Sequence, residues 1–270
     1  MAKLWHDKYL VKPGSDFKIA EADPDETLKI GKEKSKEEMQ DLGERLNELQ
    51  QVLYAENRHK MLIVFQAMDT GGKDGTIRSI FRYVNPQGVK VTNFGKPSEE
   101  ELEHDYLWRI HEHTPKKREI AVFNRSHYED VLVVRVHGLV PQSVWSKRYQ
   151  QITNFERMLA EEGATILKFY LNIDKDEQKK RLQERLDVPE KRWKFNRGDL
   201  DERELWDKYM KAYEDAIAKT SAEFAPWYVV PANRNWVRNY IVSSVIVSAL
   251  ESLKMNYPSP MKGIEKIVID

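Results

Sequence analysis

The sequence predicts an α/β fold in three layers: a mostly parallel five-stranded sheet, helices on both of its faces, and a basic helical lid. Three observations lead there. Short apolar runs alternate with helix-period segments along most of the chain, the pattern of βαβ units. A glycine-rich turn joins the first of those runs to a helix. No Pro/Gly/Ser-rich linker divides the 270 residues, and 40% hydrophobic content with seven Trp is ample for one large core.

The elements follow in order. Residues 1–34 show little periodicity and read as an N-terminal arm packed on the domain. Ser35 and Glu38 have the spacing of a capping box, and Met39, Leu42, Leu46, Leu49 and Leu53 form one apolar helical stripe through about Asn57. Strands are expected at Met61–Phe65, Val89–Phe94, Glu119–Asn124, Thr165–Leu171 and Trp227–Val230. Thr76, Ile77, Ile80, Phe81 and Val84 mark the helix after the first strand. Ser98 and Glu101 form a second capping box, opening a helix that ends before Pro115. Further helices are expected over about 142–162, 174–187, 201–222 and 234–253. One domain therefore spans 35–255, with a lid at about 179–200 and a tail at 256–270.

Composition excludes several classes. Lys+Arg and Asp+Glu are both 44, so the chain lacks the overall basicity of a nucleic-acid binder. With no Cys there is no disulfide, thiolate metal site or cysteine nucleophile. The start has no apolar run of the signal-peptide kind. The longest near-apolar stretch, Tyr240–Leu250, is broken by serines and too short to span a bilayer. A cytoplasmic protein without membrane or nucleic-acid partners is expected. His111 and His113 point to different sides of a helix and cannot easily share a metal ion. The aromatics Phe224, Trp227 and Tyr228 read as core.

The turn at Phe65–Ile77 carries the chemistry. Gly72 and Lys73 match the GK pair of a phosphate-binding P-loop, in the required strand–loop–helix context. Ala67 stands at the first glycine position and Asp74 at the Ser/Thr position, so the match to the bare pattern is partial. Gly71, Gly72 and Gly75 let the backbone approach an anion and turn N–H groups toward it. The helix N-terminus adds partial positive charge, and Lys73 a full one. Asp69, inside the loop, has the chemistry to hold Mg²⁺ or orient an incoming phosphate.

The third strand ends in Asn124-Arg125, followed by Ser126 to Asp130. Arg125 should face the crevice at the carboxyl ends of the strands. Asn124 is a weak metal ligand, which leaves Asp69, Glu129 and Asp130 as candidates. Residues 179–197 contain eight basic and three acidic side chains, interrupted by Pro189. Residues 179–185 read as a solvated helix face, as charge runs usually are. Lys191, Arg192, Lys194 and Arg197 alternate with Trp193 and Phe195, the pattern of a packed flap whose charges aim at one place.

Together these motifs resemble the polyphosphate kinase 2 family. Met68–Thr76 resembles its modified P-loop, G-x-D-x-x-G-K-x-G, apart from Ala67; Phe123–Leu132 resembles its second motif, and Pro189–Lys194 its lid motif. Val84–Gly88 and Glu99–Asp105 also fit, and the resemblance runs from about residue 10 to 255. It implies a P-loop kinase fold and phosphoryl transfer from inorganic polyphosphate to a nucleotide with Mg²⁺, or Mn²⁺ in its place. Asn124 before Ser126–Asp130 is similar to the class III branch, whose acceptors are AMP, ADP and other nucleotides. By position, Asp69, Lys73, Asn124 and Arg125 would be catalytic. Thr70, Gly71, Gly72, Asp74, Gly75, Thr76, Arg78, Arg135, Lys191, Arg192 and Lys194 would bind phosphate. Asp69, Glu129 and Asp130 would hold metal. A homo-oligomer, dimer or tetramer, is expected. An ATP-dependent nucleoside monophosphate kinase and a non-catalytic polyanion-binding module are the rival readings.

Overall fold

Each buried strand is a nearly continuous apolar run, because the sheet is covered on both faces. The structure, a computed structural model, describes residues 7–27 and 31–269. In chain order the elements are β1 (Leu10–Val11), α1 (Lys32–Glu56), β2 (Lys60–Gln66), α2 (Lys73–Phe81), β3 (Val89–Asn93), α3 (Glu99–Glu103), α4 (Trp108–His111) and β4 (Ile120–Asn124). There follow α5 (Val133–Val136), α6 (Gln142–Glu161), β5 (Ala164–Asn172), α7 (Lys175–Asp187), α8 (Gly198–Glu204), α9 (Trp206–Thr220), β6 (Trp227–Pro231) and α10 (Asn235–Ser252). Short 3₁₀ turns sit between them, among them Pro189–Lys194.

The sheet order is β1-β6-β5-β2-β4-β3. β2 pairs in parallel with both β4 and β5, placing its carboxyl end at the centre of the sheet's upper edge. The sheet has six strands rather than five. Leu10 and Val11 lie antiparallel to Tyr228 and Trp227 and close the β6 edge. Two residues carry no readable period, so only the tertiary partner makes this a strand. Trp227 and Tyr228 are fully buried in the core.

Three helix boundaries differ from the periodicity reading. α1 begins at Lys32 after Gly31, and Ser35 is one turn inside it, buried, donating to the Lys32 carbonyl at 2.7 Å. Glu38 instead accepts from the Tyr240 hydroxyl of α10, so the expected capping box is replaced by a helix–helix bond. The Ser98 box is present, with Glu101 N–H on Ser98 Oγ at 3.2 Å and Ser98 N–H on Glu101 Oε2 at 2.8 Å. The helix it opens breaks into α3 and α4, where Asp105 Oδ1 takes the Leu107 N–H at 2.9 Å. The expected 201–222 helix is likewise two pieces, α8 and α9, meeting at Leu205.

Beneath the sheet lies a polar island in the apolar core. Lys168, midway along β5 and fully buried, donates to Glu156 Oε2 (2.6 Å), the Tyr128 hydroxyl (2.8 Å) and the Thr220 carbonyl (2.8 Å). Glu156 Oε1 lies 2.8 Å from the Tyr128 hydroxyl and 3.1 Å from His127 Nε2. The cluster ties β5, α6 and α9 to the turn after β4.

Candidate active site

A cleft of about 1500 Å³ opens above the carboxyl ends of β2, β4 and β5, lined by the P-loop, the ends of β3 and β4, α7, the 189–196 segment and the start of α10. The loop 67–72 leaves β2 and enters α2 through Gly72, whose φ of +97° belongs to the left-handed region that glycine adopts freely. A side chain there would also collide with Arg238: an added Cβ would lie 2.0 Å from its Nη1. At Ala67, where the motif usually has glycine, the methyl group occupies space left by Gly71, since a Cβ on Gly71 would approach it to 2.4 Å. Lys73 Nζ donates to the Ala67 carbonyl at 2.9 Å, and the Thr76 hydroxyl to the Gly72 carbonyl at 3.0 Å, so the loop closes on itself.

Burial pulls the Lys73 ammonium down to about 8, and Arg125 adds to this, while Asp69, Glu129 and Asp74 oppose it. Asp69 Oδ1 accepts from Arg125 Nη2 at 2.6 Å. Arg125 itself, with φ +62°, and Thr70, the residue after Asp69, with φ +64°, are both non-glycine residues in the left-handed region. Burial disfavours the charge of Arg125, but Glu129 (3.6 Å) and Asp69 hold its pKa above the ordinary guanidinium range. Asn124 Nδ2 bonds Asp74 Oδ1 at 2.6 Å and Asn93 Oδ1 at 2.7 Å, linking the ends of β4 and β3 to the first turn of α2. Gln66 Nε2 donates to Ser126 Oγ at 3.1 Å, anchoring the turn behind Arg125.

Asp69, Thr70, Gly71, Gly72, Lys73, Asp74, Gly75, Arg78, Asn124, Arg125, Lys191 and Lys194 all line this one cleft. Thr76 sits beneath it, fully buried. Other expected residues lie elsewhere. Arg135 stacks over Trp145 (4.6 Å) and bonds Asp215 Oδ2 at 2.7 Å. Asp130 is held by Arg148 at 2.7 Å, and burial raises its pKa to about 6 against that cation. Arg192 donates to the Leu186 carbonyl at 2.9 Å on the outer side. Glu129 supports Arg125 from behind.

The segment 179–185, expected as a solvated helix face, instead brings Arg181 and Arg185 into the cleft, and α10 brings Arg238. Arg181 on α7 donates to Glu177, Thr70 O, Ala232 O and Asn233 O, tying the P-loop to the β6–α10 turn. Arg185 bonds Asp199 Oδ2 at 2.8 Å and the Lys194 carbonyl at 3.1 Å, fastening the flap. Arg238, in the first turn of α10, is buried against Gly72. The signal that could have found it is a lone arginine in the first turn of an otherwise apolar helix, placed after a strand.

A Gly-rich loop at the end of a central parallel strand, a lysine at the following helix N-terminus and an arginine–carboxylate pair beside it define a P-loop phosphotransferase site. Comparison with known proteins narrows the class. Residues 29–258 match the family model described as polyphosphate kinase 2, and the chain belongs to that family of phosphate-transferring enzymes. It is 60% identical over 265 residues to the AMP/ADP-polyphosphate phosphotransferase of Meiothermus ruber, covering 97% of this chain and 99% of that one. It is 51% identical over 227 residues to the ADP-polyphosphate phosphotransferase of Rhodopseudomonas palustris, covering 80% and 78%. The crystal structure of polyphosphate kinase 2 from Arthrobacter aurescens TC1 superposes with a TM-score of 0.93 at 42% identity, over 97% of this chain and 94% of that one. Among the described residues no helix is long and apolar enough to cross a membrane.

Proposed function

We propose that this enzyme transfers the terminal phosphate of inorganic polyphosphate to AMP and ADP, by in-line phosphoryl transfer, in the cytoplasm. The observation that carries the reading is the meeting of Lys73, Asp69 and Arg125 in one cleft of about 1500 Å³. The names of the Meiothermus and Rhodopseudomonas relatives support the donor and the acceptors.

Little covalent chemistry falls to the protein in such a transfer, so its work is positioning and charge neutralisation. The loop amides and Lys73 cradle the transferring group; Arg125 neutralises charge on the acceptor side; Asn124 holds Asp74 and the end of β3 in register. Thr70, Gly71, Gly72, Gly75 and Thr76 shape the cradle. Arg78 lies at its rim, and Lys191 and Lys194 reach over it from the flap. Phosphate entry next to Lys73 raises the pKa of that ammonium and keeps it charged.

No group of three or more His, Asp or Glu side chains forms a preformed metal cage among the described residues. The carboxylate of Asp69 in the cleft suits Mg²⁺, which keeps several waters and needs one or two carboxylates plus substrate phosphates. Asp69 is the carboxylate best placed to hold it, with Mn²⁺ an alternative. When bound, the ion would neutralise charge on the phosphate groups as the transfer proceeds.

The test is a donor swap: AMP, long-chain polyphosphate and Mg²⁺ without ATP, with products separated by chromatography. ADP and then ATP should form. Phosphorylation of AMP only when ATP is supplied would assign the chain to the nucleoside monophosphate kinases instead. Acceptance of ADP but not AMP would remove the class III assignment.

A further inference from the structure

The P-loop at the end of β2 divides the cleft in two. On one side, β4 and β3 bring Asn124, Arg125 and Asn93. On the other, β5 and β6 lead into α7 and α10, which bring Lys180, Arg181, Arg185 and Arg238. Most cations on this second side already have carboxylates. Arg181 bonds Glu177 at 2.8 Å, Arg185 bonds Asp199 at 2.8 Å, and Lys191 bonds Glu184 at 2.5 Å.

Arg238 differs. It is 2% exposed, yet among the described residues no acidic group pairs with it. Its Nη1 donates to Asn235 Oδ1 at 2.9 Å, and Nε and Nη2 donate to Asn239 Oδ1 at 3.1 and 3.0 Å, all neutral amides. Burial brings its pKa down to about 9, and the one charged group that adds to this is another cation, Arg181. Buried charges are ordinarily paired, because the Born cost of an isolated one is large. The guanidinium lies against Gly72 and within reach of Gly75, where the backbone has no side chains to shield it.

Taken with the polyphosphate reading above, on which it rests, we propose that Arg238 is the anchor for the donor chain: it binds polyphosphate units behind the one being transferred. Those units carry charge and no base, so an arginine that reads only charge is the matching partner. The acceptor then occupies the other side of the loop, beside Arg125. The missing counter-charge of Arg238 arrives with the donor.

The test compares the wild-type enzyme with Arg238→Met and Arg238→Lys, using long-chain polyphosphate as probe. Thermal melting is followed with and without polyphosphate, and KM is measured for polyphosphate and for AMP. Loss of a hydrogen-bonded ion contact should weaken polyphosphate binding by about 10- to 100-fold in Arg238→Met. KM for AMP should stay within about twofold by the same reasoning. The ligand-free melting temperature should hold or rise, because an uncompensated charge is removed, while the gain on adding polyphosphate shrinks. Arg238→Lys should fall between, since it keeps the charge and loses the fork. Should Arg238→Met fail to fold, Arg238→Lys carries the test alone, by its weakened polyphosphate binding at unchanged KM for AMP. Unchanged polyphosphate binding in the folded variants, or a lower ligand-free melting temperature with unchanged binding, overturns the assignment and leaves Arg238 a structural residue. A wild-type enzyme that neither melts higher with polyphosphate nor uses it would instead sink the donor reading itself.

Discussion

Lys168 and Arg238 are both buried cations, and their surroundings are opposite. Lys168 has a carboxylate at 2.6 Å and two further acceptors, so every ammonium proton is satisfied inside the protein. Burial lowers its pKa and Glu156 pulls it back up. Among the described residues Arg238 donates only to amide oxygens, and the charge that acts on it is a second arginine. The core cation is complete without ligand and the cleft cation is not. A buried charge whose partners are all internal serves the fold. One whose counter-charge is absent from the fold is set for a ligand that carries it.

The comparison breaks most sharply in the core. Glu156→Ala leaves Lys168 buried and unpaired and should cost about 3–5 kcal/mol of stability, read by urea denaturation. Replacing the pair together, Lys168→Met with Glu156→Leu, should cost far less, since an apolar pair of similar volume replaces two desolvated charges. If the double variant is as unstable as the single one, the cluster contributes through its hydrogen bonds to Tyr128 and Thr220 rather than through the ion pair.

In the cleft the same kind of deletion should strike turnover and spare the fold. Lys73→Ala should lower kcat by roughly 10²–10³, the loss of one preorganised charge-stabilising donor. Its ligand-free melting temperature at neutral pH should hold or rise, because a buried ammonium is removed. A large loss of stability with intact turnover per folded molecule would place Lys73 with Lys168 instead.

The flap gives a smaller effect. Lys191→Ala with Lys194→Ala should raise KM for polyphosphate more than for AMP. It should also flatten the salt dependence of the polyphosphate KM, because each neutralising cation releases condensed counterions. Lys191 pairs with Glu184 at 2.5 Å and Lys194 lies over the exposed Trp193 ring at 4.9 Å, both at the surface, so each contact is weak enough for a polyanion to displace. An unchanged salt slope would mark both as solvated side chains.

The finest test is in pH. Folded Lys73 sheds its proton near 8, whereas the unfolded chain holds it to the ordinary value of 10.5. Between those values the unfolded state binds more protons, so the contribution of Lys73 to stability rises with pH. Its burial penalty is present in full below pH 8 and gone above 10.5. The wild-type melting temperature should therefore gain on that of Lys73→Met as pH climbs through this window. Because kcat/KM reports the free enzyme, it should fall across the same window as the charge is lost, while kcat should fall at higher pH, since bound phosphate holds the proton on Lys73.

Much of the site was legible because it is contiguous. Residues 67–76 form one loop and one helix turn, and Asn124-Arg125 end one strand, so the required residue types stand side by side in the chain. Arg135 and Asp130 show the limit of such reading. Both lie close to Arg125 in sequence, yet Asp215 and Arg148, 80 and 18 residues away, draw them out of the cleft. Arg181, Arg185 and Arg238 show the converse, entering from helices more than 100 residues beyond the loop.

The sequence by itself determined the alternation of strands and helices, the phosphate loop and the second motif, since each depends on spacing within a few residues. The tertiary structure alone decided that Leu10–Val11 is a sixth strand, that Ser35 caps nothing, and which cations are paired. Burial and pairing depend on groups brought together from distant parts of the chain. A charge costs little or much to bury according to what faces it, and no local pattern in the sequence records that.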